Sequence, residues 1–287
     1  MLPLTAPTRL DYFASLVAQD EGLPLLEAAI SVGQDADPGL DPQSVLVQID
    51  TLGRRLRRRI PGDAAPLQRL RFLNRYFFDE LAFGGNVNDY YDPANSLIHL
   101  VLDTRRGIPI TLAMLYIELA GHAGLEARGI GFPGHFLVKV RMPRGEVVID
   151  PFTGMSLSRE ELEERLAPFR REQGLTGDFE VPLGLFLQTS PARDILARLL
   201  RNLKEVHRSA GRYADWLAVQ QRLVILLPTN ALERRDRGLV LAEVGRYDEA
   251  TGDLRHYLEQ FPNADDAAAL RHRVAEIEGL AGPGRRP

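Results

Sequence analysis

One histidine, one aspartate and the start of one apolar helix are placed where they could do chemistry. The stretch TRRGIPITLAMLYIELAGHAGLEARGIGFPGHF, residues 104–136, runs from a basic glycine turn into an apolar helix. A short extended segment follows, and then His135 at the head of a strand. An imidazole there can take up and return a proton, and a carboxylate beside it can fix its tautomer. Further on, a carboxylate, Asp150, closes the segment VVID. In a thiol enzyme a cysteine would open the helix, where the helix start favours the thiolate. Here Pro109 opens it, and the chain has no cysteine.

Whether His135 and Asp150 meet depends on the register of two strands. HFLVKV and VVID read as an antiparallel pair joined through MPRG. If Arg141 pairs with Glu146, Leu137 lies opposite Asp150, and Asp150 shares a face with His135 one diagonal step away. A slip of one residue puts Asp150 opposite Val138 on the other face. Two hydroxyls stand nearby in the sequence as substitute nucleophiles. Thr111 is turned roughly 200° around the helix from position 109, and Ser96 lies on the preceding segment.

The elements that must hold these residues can be read from periodicity and punctuation. Residues 1–90 read as helical, with LDYFASLVAQ, PQSVLVQIDTLGRRLRRRI and LQRLRFLNRYFFDEL as three helices. A turn-rich loop, FGGNVNDYYDPANS, leads to a short helix over about 94–103. The helix ITLAMLYIELAGHAG is apolar nearly all round, so it belongs inside, ending at Gly121 or Gly124. Ser158 and Glu161 form a capping-box pattern that opens a further helix. QTSPARD, around 188–194, reads as a domain boundary, giving domains over 1–190 and 191–287.

The last third repeats itself. Gly211-Arg212-Tyr213 recurs as Gly245-Arg246-Tyr247, and Leu227-Pro228 as Phe261-Pro262. Both spacings are 34 residues, the period of the tetratricopeptide helix-turn-helix repeat. The second unit has Gly238 and Ala250 where the pattern wants small residues, while the first carries Lys204 and Trp216. ADDAAALRHRVAEIEGL is read as a capping helix, and the tail GPGRRP as disordered.

DYYDPANS, RRGIPI, GFPGHFLV and IDPF, with the repeats behind them, resemble the transglutaminase-like, papain-related superfamily. The closer resemblance is to its bacterial branch named for an invasion-gene regulator, whose members join that core to tetratricopeptide repeats. The resemblance implies an α+β protein: a helical N-terminal part, a papain/transglutaminase-like core with a small antiparallel sheet, and an all-α repeat array. Active members use Cys, His and Asp. Matching the helix through Ala113, Gly124 and Ala127-Arg128 puts Pro109 at the cysteine position, His135 at the histidine and Asp150 at the aspartate. The resemblance thus implies that the acid–base pair is retained and the nucleophile is lost.

With 287 residues, 45% apolar and 26% charged, the chain has the profile of a soluble globular protein. A net charge of -4 argues against a general polyanion binder. The arginines at 54–59 are read as a solvated face, so no nucleic acid is expected. Histidines 99, 122, 207, 256 and 272 lack ligand spacing, so neither metal nor cofactor is expected. No signal-like leader or membrane-length apolar run is present, so a cytoplasmic location without membrane contact is expected. The expected function is non-catalytic: binding of a protein or peptide partner through the inherited groove and the repeats, in a regulatory role. The alternative is a hydrolase or acyl transferase using His135 and Asp150 with a non-cysteine nucleophile or water.

Overall fold

The structure, a computed structural model, describes residues 7–281 other than 176 and 180. By contacts the chain falls into two compact units. One comprises Leu25–Gly33 and Gly39–Leu199, and the other takes in 7–24, 34–38 and the chain from Leu200 onward. One boundary between the units falls after Leu199, and the unit that holds the repeats also takes in residues 7–24.

In the first unit, the helices are α2 (Leu25–Val32), α3 (Pro42–Arg57), α4 (Pro66–Asn74), α5 (Ile98–Thr104), α6 (Pro109–His122), α7 (Arg159–Glu172) and α8 (Leu183–Phe186). Helix α6 is the centre: every residue from 109 to 116 is buried, as its all-round apolar sequence requires. Gly124 (φ 73°) ends it. Helix α3 crosses α6 at Gly53, where a Cβ would fall 2.1 Å from the His122 ring.

Three expectations are corrected here. Helix α2 was not anticipated: it is short and buried along Ala28–Val32, so it shows no polar stripe. The helix beginning at Pro66 does not run on regularly; Arg75–Glu80 winds as a π-helix. The helix expected over 94–103 is two pieces, a 3-10 turn at Pro93–Ser96 capped by Asp92, then α5 after the extended residue Leu97.

The sheet has four antiparallel strands in sequence order: β3 (Ala127–Ile130), β4 (Leu137–Met142), β5 (Gly145–Ile149) and β6 (Ser156–Leu157). Two short strands, β1 (Gly84–Gly85) and β2 (Arg106–Gly107), pair in parallel apart from it. The segment QTSPARD is bound to the sheet edge. Thr189 bridges to Ile130, and the Ser190 N–H donates to Gly129 O (2.9 Å).

The second unit is a helical array. It contains α1 (Arg9–Leu16), the end of α9 (Ala192–Ser209), α10 (Tyr213–Leu226), α11 (Ala231–Glu243), α12 (Tyr247–Gln260) and α13 (Ala267–Ala281). The 34-residue repeat is visible in the backbone. Gly211 and Gly245 are both left-handed (φ 65° and 78°), and Leu227 and Phe261 end their helices at φ/ψ of -124°/64° and -128°/64°. At Gly238 the partner helix comes so close that a Cβ would lie 2.8 Å from Leu254. Its counterpart Lys204 instead reaches Glu233 (3.0 Å) and Asp236 (2.5 Å). The tail GPGRRP lies outside the described residues.

Two repeats alone bury little core, and α1 packs on α10 to enlarge it. Arg222 of α10 is fully buried there, ion-paired with Asp35 and set over the Phe13 ring at 5.5 Å. Breaking a buried pair strands a charge, whereas replacing both members need not. Asp35→Asn should therefore lower the unfolding free energy by about 3 kcal/mol. The double change Asp35→Leu with Arg222→Met should restore most of it, as read by urea denaturation.

Candidate functional site

Strands β4 and β5 pair Arg141 with Glu146 and Val138 with Ile149. The ladder ends one residue before Asp150, which meets His135 directly from beyond the strand end. His135 Nε2 lies 2.8 Å from Asp150 Oδ1. The loop before β4 holds the imidazole in place. The His135 N–H donates to Phe132 O (3.0 Å), Gly134 supplies a left-handed turn (φ 68°), and Gly129 leaves room for the Phe136 ring, 2.7 Å from where a Cβ would be.

Asp150 is the hub. Its side chain is 1% exposed, yet it is fully engaged. Besides His135, Arg165 Nη1 donates to Oδ2 (2.9 Å), and the Phe152 N–H donates to Oδ1 (3.0 Å). Its own N–H donates to Met155 O and its carbonyl accepts from Gly154 N–H, both at 2.8 Å, fixing the turn after β5. Burial pushes the carboxyl pKa up. The hydrogen bonds from His135 and Arg165, the nearby His135 charge and the Phe152 amide outweigh it and bring the carboxyl to about 2. Asp150 is thus an acceptor at neutral pH, and His135 directs Nε2–H to it, leaving Nδ1 as the free ring nitrogen.

Pro109, which the resemblance sets against the superfamily's cysteine, is the first residue of α6, buried and without an N–H. Thr111 is buried, and its hydroxyl donates to Asn95 O (2.8 Å) and Ile108 O (3.0 Å), so its proton is committed to the backbone. Ser96 is buried in the 3-10 turn. Among the described residues, no three His, Asp or Glu side chains gather as a metal ligand set. No helix there is long and apolar enough to cross a membrane.

Residues 43–201 match the model of the transglutaminase-like superfamily, and residues 203–275 match a tetratricopeptide repeat. The chain belongs to the transglutaminase-like superfamily. A UPF0162 protein of Xylella fastidiosa (strain 9a5c) is 35% identical over 263 residues, 90% of this chain and 91% of its own length. The UPF0162 protein of Pseudomonas aeruginosa is 28% identical, covering 88% of this chain and 90% of its own length. A 72-residue stretch is 40% identical to F-box only protein 21 of Mus musculus, 12% of that protein. No solved structure matches the chain.

Within this superfamily core, four more residues stand around the pair, and two of them, Arg165 and Arg198, had no local signal in the sequence. Arg165 sits on α7, fifteen positions from Asp150, and nothing in the pattern REELEERLAPF marks it. Arg198 Nη2 donates to His135 O (2.8 Å) and Phe132 O (3.3 Å), holding the histidine loop from α9. Phe152 meets the His135 ring edge-on at 6.3 Å, and Tyr90 meets Phe152 at 6.0 Å. Only IDPF hinted at Phe152, by adjacency to Asp150.

The depressed Asp150 pKa has a signed consequence. A carboxyl held near 2 when folded and near 4 when unfolded stabilises the fold by about 2 kcal/mol above about pH 4. That stability is lost as pH falls through about 2. The stability difference between wild type and Asp150→Asn, read by denaturant unfolding, should be full at pH 6 and shrink toward pH 2. A pH-independent difference would contradict the assignment.

Proposed function

We propose that this chain is a non-catalytic transglutaminase-like protein that binds a protein or peptide partner. The reading extends to a regulatory role of the kind implied by the invasion-gene-regulator branch. One observation carries it: the residue that opens α6 is Pro109, which offers no nucleophile beside an otherwise complete His135–Asp150–Arg165 network. Acyl transfer by the superfamily's chemistry requires a side chain that forms the covalent intermediate, and Thr111 has its hydroxyl tied to Asn95 O and Ile108 O.

What remains is a polar pair under an aromatic rim. Phe152, Tyr90 and Tyr91 form a run of rings from His135 outward, with Tyr91 76% exposed. Rigid exposed aromatics are efficient contact residues. Tetratricopeptide arrays are protein-interaction modules, which supports a second contact surface in the repeats.

The alternative is a hydrolase or acyl transferase in which His135 activates water or another hydroxyl; the 2.8 Å contact to Asp150 favours it. Two measurements separate the readings. A photo-crosslinking residue at Tyr91 should yield discrete protein adducts in cells, and the same residue at Arg171, exposed on α7, should not. Turnover of p-nitrophenyl esters and glutamine peptides should be the same for wild type and His135→Ala. Turnover that disappears with His135 would establish the enzyme instead.

A further inference from the structure

The first unit carries a second feature that the His135 site does not use: an excess of guanidinium groups gathered where the backbone is strained. Five arginines at 54–59 are all exposed at the end of α3. Arg54 pairs with Asp50 at 3.0 Å. Among the described residues, Arg55, Arg57 and Arg58 pair with no carboxylate. Arg59 lies over the Tyr76 ring, 4.9 Å from its centre, and pairs with Glu80, which Arg75 also approaches at 3.7 Å. Glu80 is thus shared by two arginines.

Arg105 reaches the same place from another element. Burial raises the Tyr76 hydroxyl pKa, while Arg59, Arg55 and Arg105 all act on it in the opposite sense. Geometrically, Arg59 covers the Tyr76 ring, Arg55 lies on the last turn of α3 just before it, and Arg105 joins the same segment through Phe83, whose ring stacks on Phe77 at 4.6 Å. Arg105 stacks over Phe83 at 4.7 Å, and its Nη1 is buried without an acceptor.

The backbone here is held against its preferences. Arg105 (φ 62°) and Ala82 (φ 59°) are the two non-glycine residues in left-handed conformation among the described residues. Arg106 bridges them, since its Nη1 donates to Ala82 O at 2.6 Å and to Arg105 O at 3.1 Å. Tyr76 itself lies in the π-helix Arg75–Glu80. Paired left-handed residues and a π-helix each cost free energy and recur at functional sites.

We propose that Arg55 and Arg59 at the end of α3, with Arg105 stacked on Phe83 beside the π-helix, form a docking site for an acidic segment of a partner protein. Carboxylates are the groups that planar guanidiniums recognise in bidentate fashion. The patch is small and interrupted by Asp50 and Glu80, and the whole chain carries a net charge of -4. A long phosphate backbone would meet repulsion beyond the patch, whereas a short run of Asp and Glu would not. The proposal is independent of how the His135 site is read.

The test uses the full chain and a fluorescent peptide alternating glutamate with glycine and serine. Binding should be measurable at low salt and weaken as salt rises. Arg55→Glu, an exposed change that leaves the Glu80 pair in place, should weaken it about ten-fold or more. Arg144→Glu, on the exposed β4–β5 turn, should leave it unchanged, and matching thermal unfolding of both variants shows that they are folded. Absence of binding, or equal loss in both variants, overturns the proposal. It is also overturned if an oligothymidylate or phosphatidylglycerol vesicles bind more tightly than the peptide through Arg55, which would assign the patch to nucleic acid or to membrane.

Discussion

A single buried carboxylate organises this molecule's candidate site. An ionised aspartate out of water costs several kcal/mol unless its oxygens are filled. Asp150 fills them from three directions: an imidazole from the loop before β4, a guanidinium from α7, and an amide of its own turn. Each partner belongs to a different element, so the carboxylate fixes the sheet register, the seating of α7 and the orientation of His135 together. The network is complete without a nucleophile. The core therefore keeps this geometry with Pro109, which offers no side-chain nucleophile, at the head of α6.

Much of this was legible in the sequence, for identifiable reasons. The all-round apolar run of α6 could only be interior, and the two-residue turn between Met142 and Gly145 made the hairpin register a question with two answers. Of these, the Arg141–Glu146 pairing is the one adopted. The 34-residue recurrence was legible because turns impose it: Gly211 and Gly245 need left-handed backbone at equivalent places. The capping box at Ser158 and Glu161 was local and therefore readable.

What was not legible is non-local. Arg165 and Arg198 act on His135 and Asp150 from helices with no spacing that marks them. Helix α2 is too short and too buried to show periodicity. The packing of α1 on α10 sets Phe13 under Arg222, 209 positions away, and Arg222 also finds Asp35, 187 positions away. The π-helix at 75–80 had no sequence signal; within it the Phe77 ring stacks on Phe83 and meets the distant Tyr116 edge-on.

The cysteine-free chain allows a direct test of the central relation, that Pro109 occupies the place of a nucleophile served by His135. In a Pro109→Cys variant the only thiol would sit at the head of α6, and its ionisation can be followed by thiolate absorbance near 240 nm without a reagent having to reach it. The relation predicts a thiolate already formed below about pH 7, shifting to about 8.5 or above when His135→Ala is added. An ordinary or raised thiol pKa in both variants would contradict it.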